Sequence, residues 1–247
     1  MKKGIRKVLW VGCILGFGVC IGILAAYYIG LQKNKKVYSD MQTRVLVQEE
    51  TTETALETER KEKPDIPVDF EELWHVNPEI YAWIQIPETE VNYPIVQSLT
   101  DNSYYLNHTI EGVAGYPGSI YTEGVNSKDF KDFNTVIYGH DMEDGSMFGG
   151  LYRYLEEDYL KTHETLMIYT PEHRLTYRIF EAVIYDDRHI IGSFDFDILS
   201  EREAYLESIG NTEDEVTGES HIITLSTCVA SQPDKRLLVE AVLVHEE

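Results

Sequence analysis

The chain has 247 residues, three cysteines, a formal net charge of −22 and a pI near 4.7, enough for one medium domain with accessory segments. Of its 21 bases, Lys2, Lys3, Arg6, Lys7, Lys33, Lys35 and Lys36 lie in the first 36 residues, which hold no acid, so the remainder sets 14 bases against 43 acids. A body that acidic repels phosphate backbones, which excludes nucleic acid as a partner.

The first element is "VLWVGCILGFGVCIGILAAYYIGL", Val8 to Leu31, a run without charge. Its roughly 24 residues, at about 1.5 Å each, cross a bilayer core of about 30 Å. A cleaved signal peptide has a shorter apolar run of about 7 to 15 residues, so the stretch reads as an uncleaved transmembrane signal anchor. Four bases precede it and three follow, which puts residues 1–7 in the cytoplasm. Cys13 and Cys20 are then membrane residues, and Cys228 is the single exported cysteine, with no internal disulfide partner.

Residues 32–66, including "QEETTETALETERKEKPD", are rich in Glu, Thr and Lys and lack a sustained apolar period, so they read as an acidic, solvated stalk before a domain over 67–247. That domain opens with "DFEELWHVNPE". Asp69 stands three residues before Glu72, the spacing of a capping box, and predicts a short helix burying Phe70, Leu73 and Trp74, with Pro78 at its exit.

From Tyr81 the pattern changes to short β-type runs separated by Pro, Gly, Asn or Asp: "YAWIQI", "VNYPIVQ", "GSIYT", "NTVIYGH", "LMIYT", "RLTYRIFEAVIYD", "HIITLSTC" and "RLLVEAVLV". Eight such strands favour a closed barrel or a sandwich. Helical turns fall around "SMFGGLYRYL", "EDYLKTHE" and "SEREAYLESIG", the last with a Ser200/Glu203 capping box and Gly210 as its stop.

The chemistry centres on Cys228. A thiol becomes a useful nucleophile as thiolate, which calls for a base or cation nearby, and acyl transfer calls for a donor to the developing oxyanion. Arg236 begins "RLLVEAVLV", and the seven-residue connection from Cys228 is short enough to return that strand beside the first, with the guanidinium as a hydrogen-bond fork near the sulfur. His221 lies on the cysteine's own strand, roughly 23 Å away on the opposite face, and is excluded. His163, His173, His189, His245 and His75 sit in polar connections, the tail or the first helix and read as solvated or packing residues; His108 in "YYLNH" is harder to set aside. His140 ends "NTVIYGHDM", where a strand opens into a loop, the position at which catalytic groups tend to be displayed.

Other Cys-Arg patterns do not fit. A phosphatase loop sets its arginine six residues after the cysteine, whereas the interval here is eight and contains Pro233. No Ser-His-Gly-Cys string of a cysteine L,D-transpeptidase occurs, and the scattered histidines lack zinc-ligand spacing. The acids of "DMEDG", Asp141 to Gly145, lack the alternation of a calcium loop and read as a solvated turn.

"AWIQIPETEVNYPIVQ", "DNSYYLNH", "NTVIYGHDMEDGSMFGGLYRY" and "TLSTC", with Arg236 after them, resemble the class B branch of the sortases over about residues 68 to 245. The resemblance implies an eight-stranded β-barrel with an N-terminal helix and a helix in a late strand connection, held on the outer face of a monoderm bacterial membrane by one transmembrane helix. It implies a cysteine transpeptidase that cuts a C-terminal sorting signal of exported proteins after threonine and joins the new end to an amine, of a lipid-linked wall precursor or of a pilin lysine. Cys228 would be the nucleophile, His140 the general acid and base, and Arg236 the oxyanion donor. Asn102 and Leu106 of the "DN..YL" segment, with Ser226 and Thr227, would bind the signal, and no metal or organic cofactor is implied. The chain departs from the branch at Thr122 and Glu123, where an aspartate is common, and in "VASQPDK" after Cys228. The rival reading is a non-catalytic, membrane-tethered adhesion or binding domain with Cys228 merely packed.

Overall fold

The computed structural model describes residues 3–46, 65–212 and 214–247. They form two compact units, one ending at Asp40 and the other running from Met41 to Glu247. The first is the body of helix α1, Lys3–Val45, which is long and apolar enough to cross a membrane. The helix does not stop at Leu31, where the charge-free run ends. It continues through a segment with several Lys, Gln and Arg residues, all good helix formers, so the first part of the expected stalk is helical. Residues 47–64 of that stalk lie outside the described residues.

In the second unit, Asp69 caps α2, Phe70–Val76, by accepting the Glu72 N–H at 3.0 Å. Phe70 and Leu73 are buried as the spacing predicts. Trp74 is not: it is 42% exposed and spends its indole N–H on the Ile80 carbonyl at 2.9 Å. Eight strands follow: β1 Ile80–Gln85, β2 Asn92–Val96, β3 Ile120–Thr122, β4 Asn134–Tyr138, β5 Thr165–Tyr169, β6 Arg174–Asp186, β7 Ile222–Val229 and β8 Gln232–Glu246. They close into a barrel in the order β1-β2-β3-β4-β7-β8-β6-β5. The β2–β3 and β4–β7 pairings are parallel and the rest antiparallel. Of the two alternatives open in the sequence, barrel and sandwich, the barrel is what forms.

Three short helices interrupt the strands: α3 Glu157–Thr162, α4 Ile190–Ser193 and α5 Leu199–Ser208. A 3-10 helix spans Gly149–Leu155. Helix α5 explains why β8 reads as a nearly continuous apolar run. Leu238 and Val242 pack in one cluster with Tyr205 and Leu206 of α5 and Ile209 at its end, while Leu237, Val239 and Ala241 alternate to the other face, also buried. Each buried Leu or Val here is worth roughly 1.5–3 kcal/mol. The expected Ser200/Glu203 capping box does not form, because the helix starts earlier, at Leu199, with Ile198 in the cap position and no side-chain cap bond. Gly210 does end it, at φ +85°.

Candidate functional site

Three neighbouring strands bring the expected residues to one end of the barrel. Strands β4 and β7 run parallel with Tyr138 beside Ser226, and the Gly139 N–H donates to the Ser226 carbonyl at 3.2 Å. Two residues beyond that pair stand His140, just past the end of β4, and Cys228 on β7. Across the antiparallel β7–β8 ladder, Cys228 pairs with Arg236. Residues directly opposite on such a ladder project to the same face. Cys228 is exposed and Arg236 half-buried, and all three line one cleft of about 290 Å³.

The connection that delivers Arg236 is tighter than seven residues of loop. Strand β8 begins at Gln232 and β7 ends at Val229, so only Ala230 and Ser231 turn. Pro233 and Asp234 argue locally for a loop, but Lys235 and Arg236 pair with Asp186 and Tyr185 of β6, and that pairing carries the strand outward. Arg236 Nη1 donates to the carbonyls of Pro233 at 3.0 Å and Lys235 at 2.7 Å. The guanidinium is thereby oriented, with Nε and Nη2 left as donors.

The His140 ring is held by main chain. Its Nε2 lies 2.7 Å from the Leu106 carbonyl; a carbonyl only accepts, so Nε2 carries the proton and Nδ1 is the lone-pair nitrogen of the neutral ring. The His140 carbonyl accepts the Phe148 N–H at 3.0 Å, and the Tyr116 ring tilts against the imidazole at 4.9 Å between centroids.

Tyr121 and Tyr138 stack at 5.3 Å along the cleft, and burial pushes both phenols above their ordinary range, so they are neutral hydroxyls. The wall beyond Arg236 is Asp186 to Ile190. Arg188 is neutralised by Asp186, bonding it through Nε at 2.7 Å. His189 Nδ1 accepts the Gly192 N–H and so caps α4, which leaves Nε2 as donor to the Glu123 carboxylate at 2.9 Å.

The sortase domain family matches residues 84–244. Sortase B of Listeria monocytogenes is 37% identical over 169 residues, covering 65% of this chain and 67% of that protein. Sortase B of Staphylococcus aureus is 28% identical over 191 residues, 74% and 78% of the two. The crystal structure of sortase B from B. anthracis superimposes with a TM-score of 0.72 at 32% identity, over 88% of this chain and 99% of that one. The chain belongs to the class B sortases. It is therefore a transpeptidase.

Of the residues expected to bind a sorting signal in this sortase, Leu106, Ser226 and Thr227 line the cleft and Asn102 does not. Asn102 is exposed, and its Oδ1 accepts the Gly124 N–H at 3.0 Å, fixing the turn next to Glu123. His221 bonds the Asp132 carbonyl and His108 stacks on Tyr104, both away from the cleft lining. The Asp186–Ile190 wall was not legible locally, because "DDRH" has the composition of a solvated connection. The usable signal was the length of "RLTYRIFEAVIYD": a strand that follows β8 as far as Arg236 delivers its own end to the same place. Asp141, read as part of a solvated turn, contacts the Cys228 hairpin instead. Its carboxyl is raised by burial, partly offset by the Tyr152 hydroxyl and the Ala230 N–H.

Proposed function

We propose that this sortase cleaves a C-terminal sorting signal of exported proteins after threonine and transfers the acyl group to an amine of a cell-wall precursor peptide, with Cys228 as nucleophile. The observation that carries the reading is the convergence of Cys228, Arg236 and His140 on one cleft through two adjacent strand pairings. Helix α1 is the membrane anchor in this reading, with the catalytic domain outside.

The Cys228 thiolate adds to the threonine carbonyl carbon, and the carbonyl electrons move onto oxygen. Arg236 donates to that oxyanion, with its orientation already set by the Pro233 and Lys235 carbonyls. Collapse breaks the C–N bond, and the departing amine takes a proton from His140 imidazolium, leaving a thioester and neutral His140. The acceptor amine then adds to the thioester and gives its proton to His140, and Cys228 leaves as thiolate. The Leu106 carbonyl holds Nε2 throughout, so Nδ1 is the nitrogen that gives and takes. Leu106, Ser226 and Thr227 contribute to the signal groove.

Full-length protein in detergent, incubated with a panel of sorting-signal peptides, tests the reading. Cys228→Ala abolishes cleavage, and adding a wall-type peptide amine converts the hydrolysis product into a heavier ligated one. An alanine variant that cleaves as well as wild type sinks the mechanism, and ligation only to a pilin lysine peptide reassigns the acceptor.

A further inference from the structure

Regular β7–β8 pairing ends at Cys228: the register slips between Cys228 and Val229, and the tip beyond is the exposed pair Ala230 and Ser231. An open hairpin end of this kind frays when only its ladder holds it. Here two side chains from the segment after His140 reach it. The Tyr152 hydroxyl, on the Gly149–Leu155 helix, donates to the Cys228 carbonyl at 3.0 Å. The Asp141 carboxylate, next in sequence to His140, lies 3.4 Å from that hydroxyl, and the Ala230 N–H faces both groups.

The platform behind them is stiff. Asp141 bridges to Met147, whose N–H is bonded by the Tyr93 hydroxyl at 3.0 Å. A Cβ at Gly149 would run into the Met142 main chain, so loop and helix are packed backbone to backbone. His140 and the grip on Cys228 thus belong to one continuous loop.

We propose that Asp141 and Tyr152 are positioning residues that clamp the Cys228 hairpin to the His140 loop and so set the distance between thiol and imidazole. The proposal rests on the reading of Cys228 as nucleophile. Neither side chain touches the reacting atoms; Tyr152 acts through the main-chain carbonyl of Cys228 itself and Asp141 through the N–H of Ala230, two residues further on. Small displacements suffice, since about 1 Å of misplacement costs on the order of a hundredfold in rate.

The test uses full-length protein in detergent. Tyr152→Phe and Asp141→Ala each lower kcat for signal cleavage roughly tenfold, with KM within about twofold and Tm within a few degrees. Asp141→Asn, whose amide oxygen still accepts from Ala230, restores kcat to within about threefold of wild type. A readout independent of substrate is the alkylation rate of Cys228, followed by mass spectrometry of its peptide, which changes more than about twofold in the first two variants. Unchanged kcat and alkylation, a change in KM alone, or a loss of kcat that tracks a fallen Tm overturns the clamp. A wild-type chain that is alkylated at Cys228 yet cleaves no sorting signal overturns the proposed sorting-signal reaction instead, and the alkylation rates of the variants still decide the clamp.

Discussion

Arg236 stands directly across the β7–β8 ladder from Cys228, and its Nη1 is bonded to the carbonyls of Pro233 and Lys235 in its own strand. Opposite positions on such a ladder have Cβ atoms about 4.5–5.5 Å apart, and both residues line the same cleft. Arg236→Ala is expected to lower kcat by about a hundredfold or more, the usual cost of an oxyanion donor, with little change in KM. Arg236→Lys recovers little of this, because an ammonium lacks the fork that bonds two carbonyls and still faces the cleft. Steady-state cleavage kinetics check both; a lysine variant close to wild type would show that charge alone suffices.

Gly118 packs against the carbonyl that holds His140. It sits at φ +69°, and a Cβ there would drive into the Leu106 and Tyr105 carbonyl oxygens. Since the Leu106 carbonyl holds His140 Nε2, Gly118→Ala is expected to lower kcat at least about tenfold besides destabilising the fold. Gly112, at φ +73° with only the Tyr104 hydroxyl at 3.5 Å, is the control. Gly112→Ala carries the same backbone strain and keeps kcat, so equal kcat losses in the two variants would argue against transmission through Leu106.

Most of the barrel was legible because its strands are β-branched and aromatic runs set off by turn residues, and all eight runs form strands. What failed locally was overridden by tertiary pairing. Pro233 marks a loop by composition, yet β6 pairs with β8 out to Lys235. Trp74 falls on the apolar face of its helix by spacing, yet its N–H finds the Ile80 carbonyl at the surface. That Cys228, His140 and Arg236 share one cleft was legible because strand ends are readable. What His189 and Asp141 contact was not, since polar residues in connections carry no local mark of what they face.

Thr227 offers a test of the groove. The residue is 2% exposed, lines the cleft, and its hydroxyl has no hydrogen-bond partner among the described residues. Replacing an orphan hydroxyl by a methyl group removes a desolvation cost of about 1–3 kcal/mol. Thr227→Val is therefore expected to keep or raise Tm while raising KM for the signal peptide. Thermal melts and steady-state kinetics read the two effects separately; an unchanged KM removes the hydroxyl from the groove.

Glu240 lies in the middle of the apolar run of β8 and is fully buried beneath α5. Tyr205 donates to one of its oxygens at 2.7 Å, Thr224 lies 2.8 Å from the other, and Thr224 also reaches Asn134 Oδ1 at 3.0 Å. With Asn134 Oδ1 as the acceptor, two hydroxyl protons leave one of these three contacts unserved, and a protonated Glu240 supplies the missing one by donating to Thr224, which then donates to Asn134. Burial accordingly pushes the carboxyl from 4.5 to about 8. Between those values the folded chain holds a proton that the unfolded chain has lost, so stability is full below pH 4.5 and declines as pH rises through about 8. Glu240→Gln presents an NH₂ to Thr224 and an oxygen to Tyr205 at every pH. Its Tm relative to wild type is expected to rise steadily across that window and level off above it. Melts of both proteins at matched pH values check this, and parallel Tm curves would mean that Glu240 titrates alike in the folded and unfolded chains.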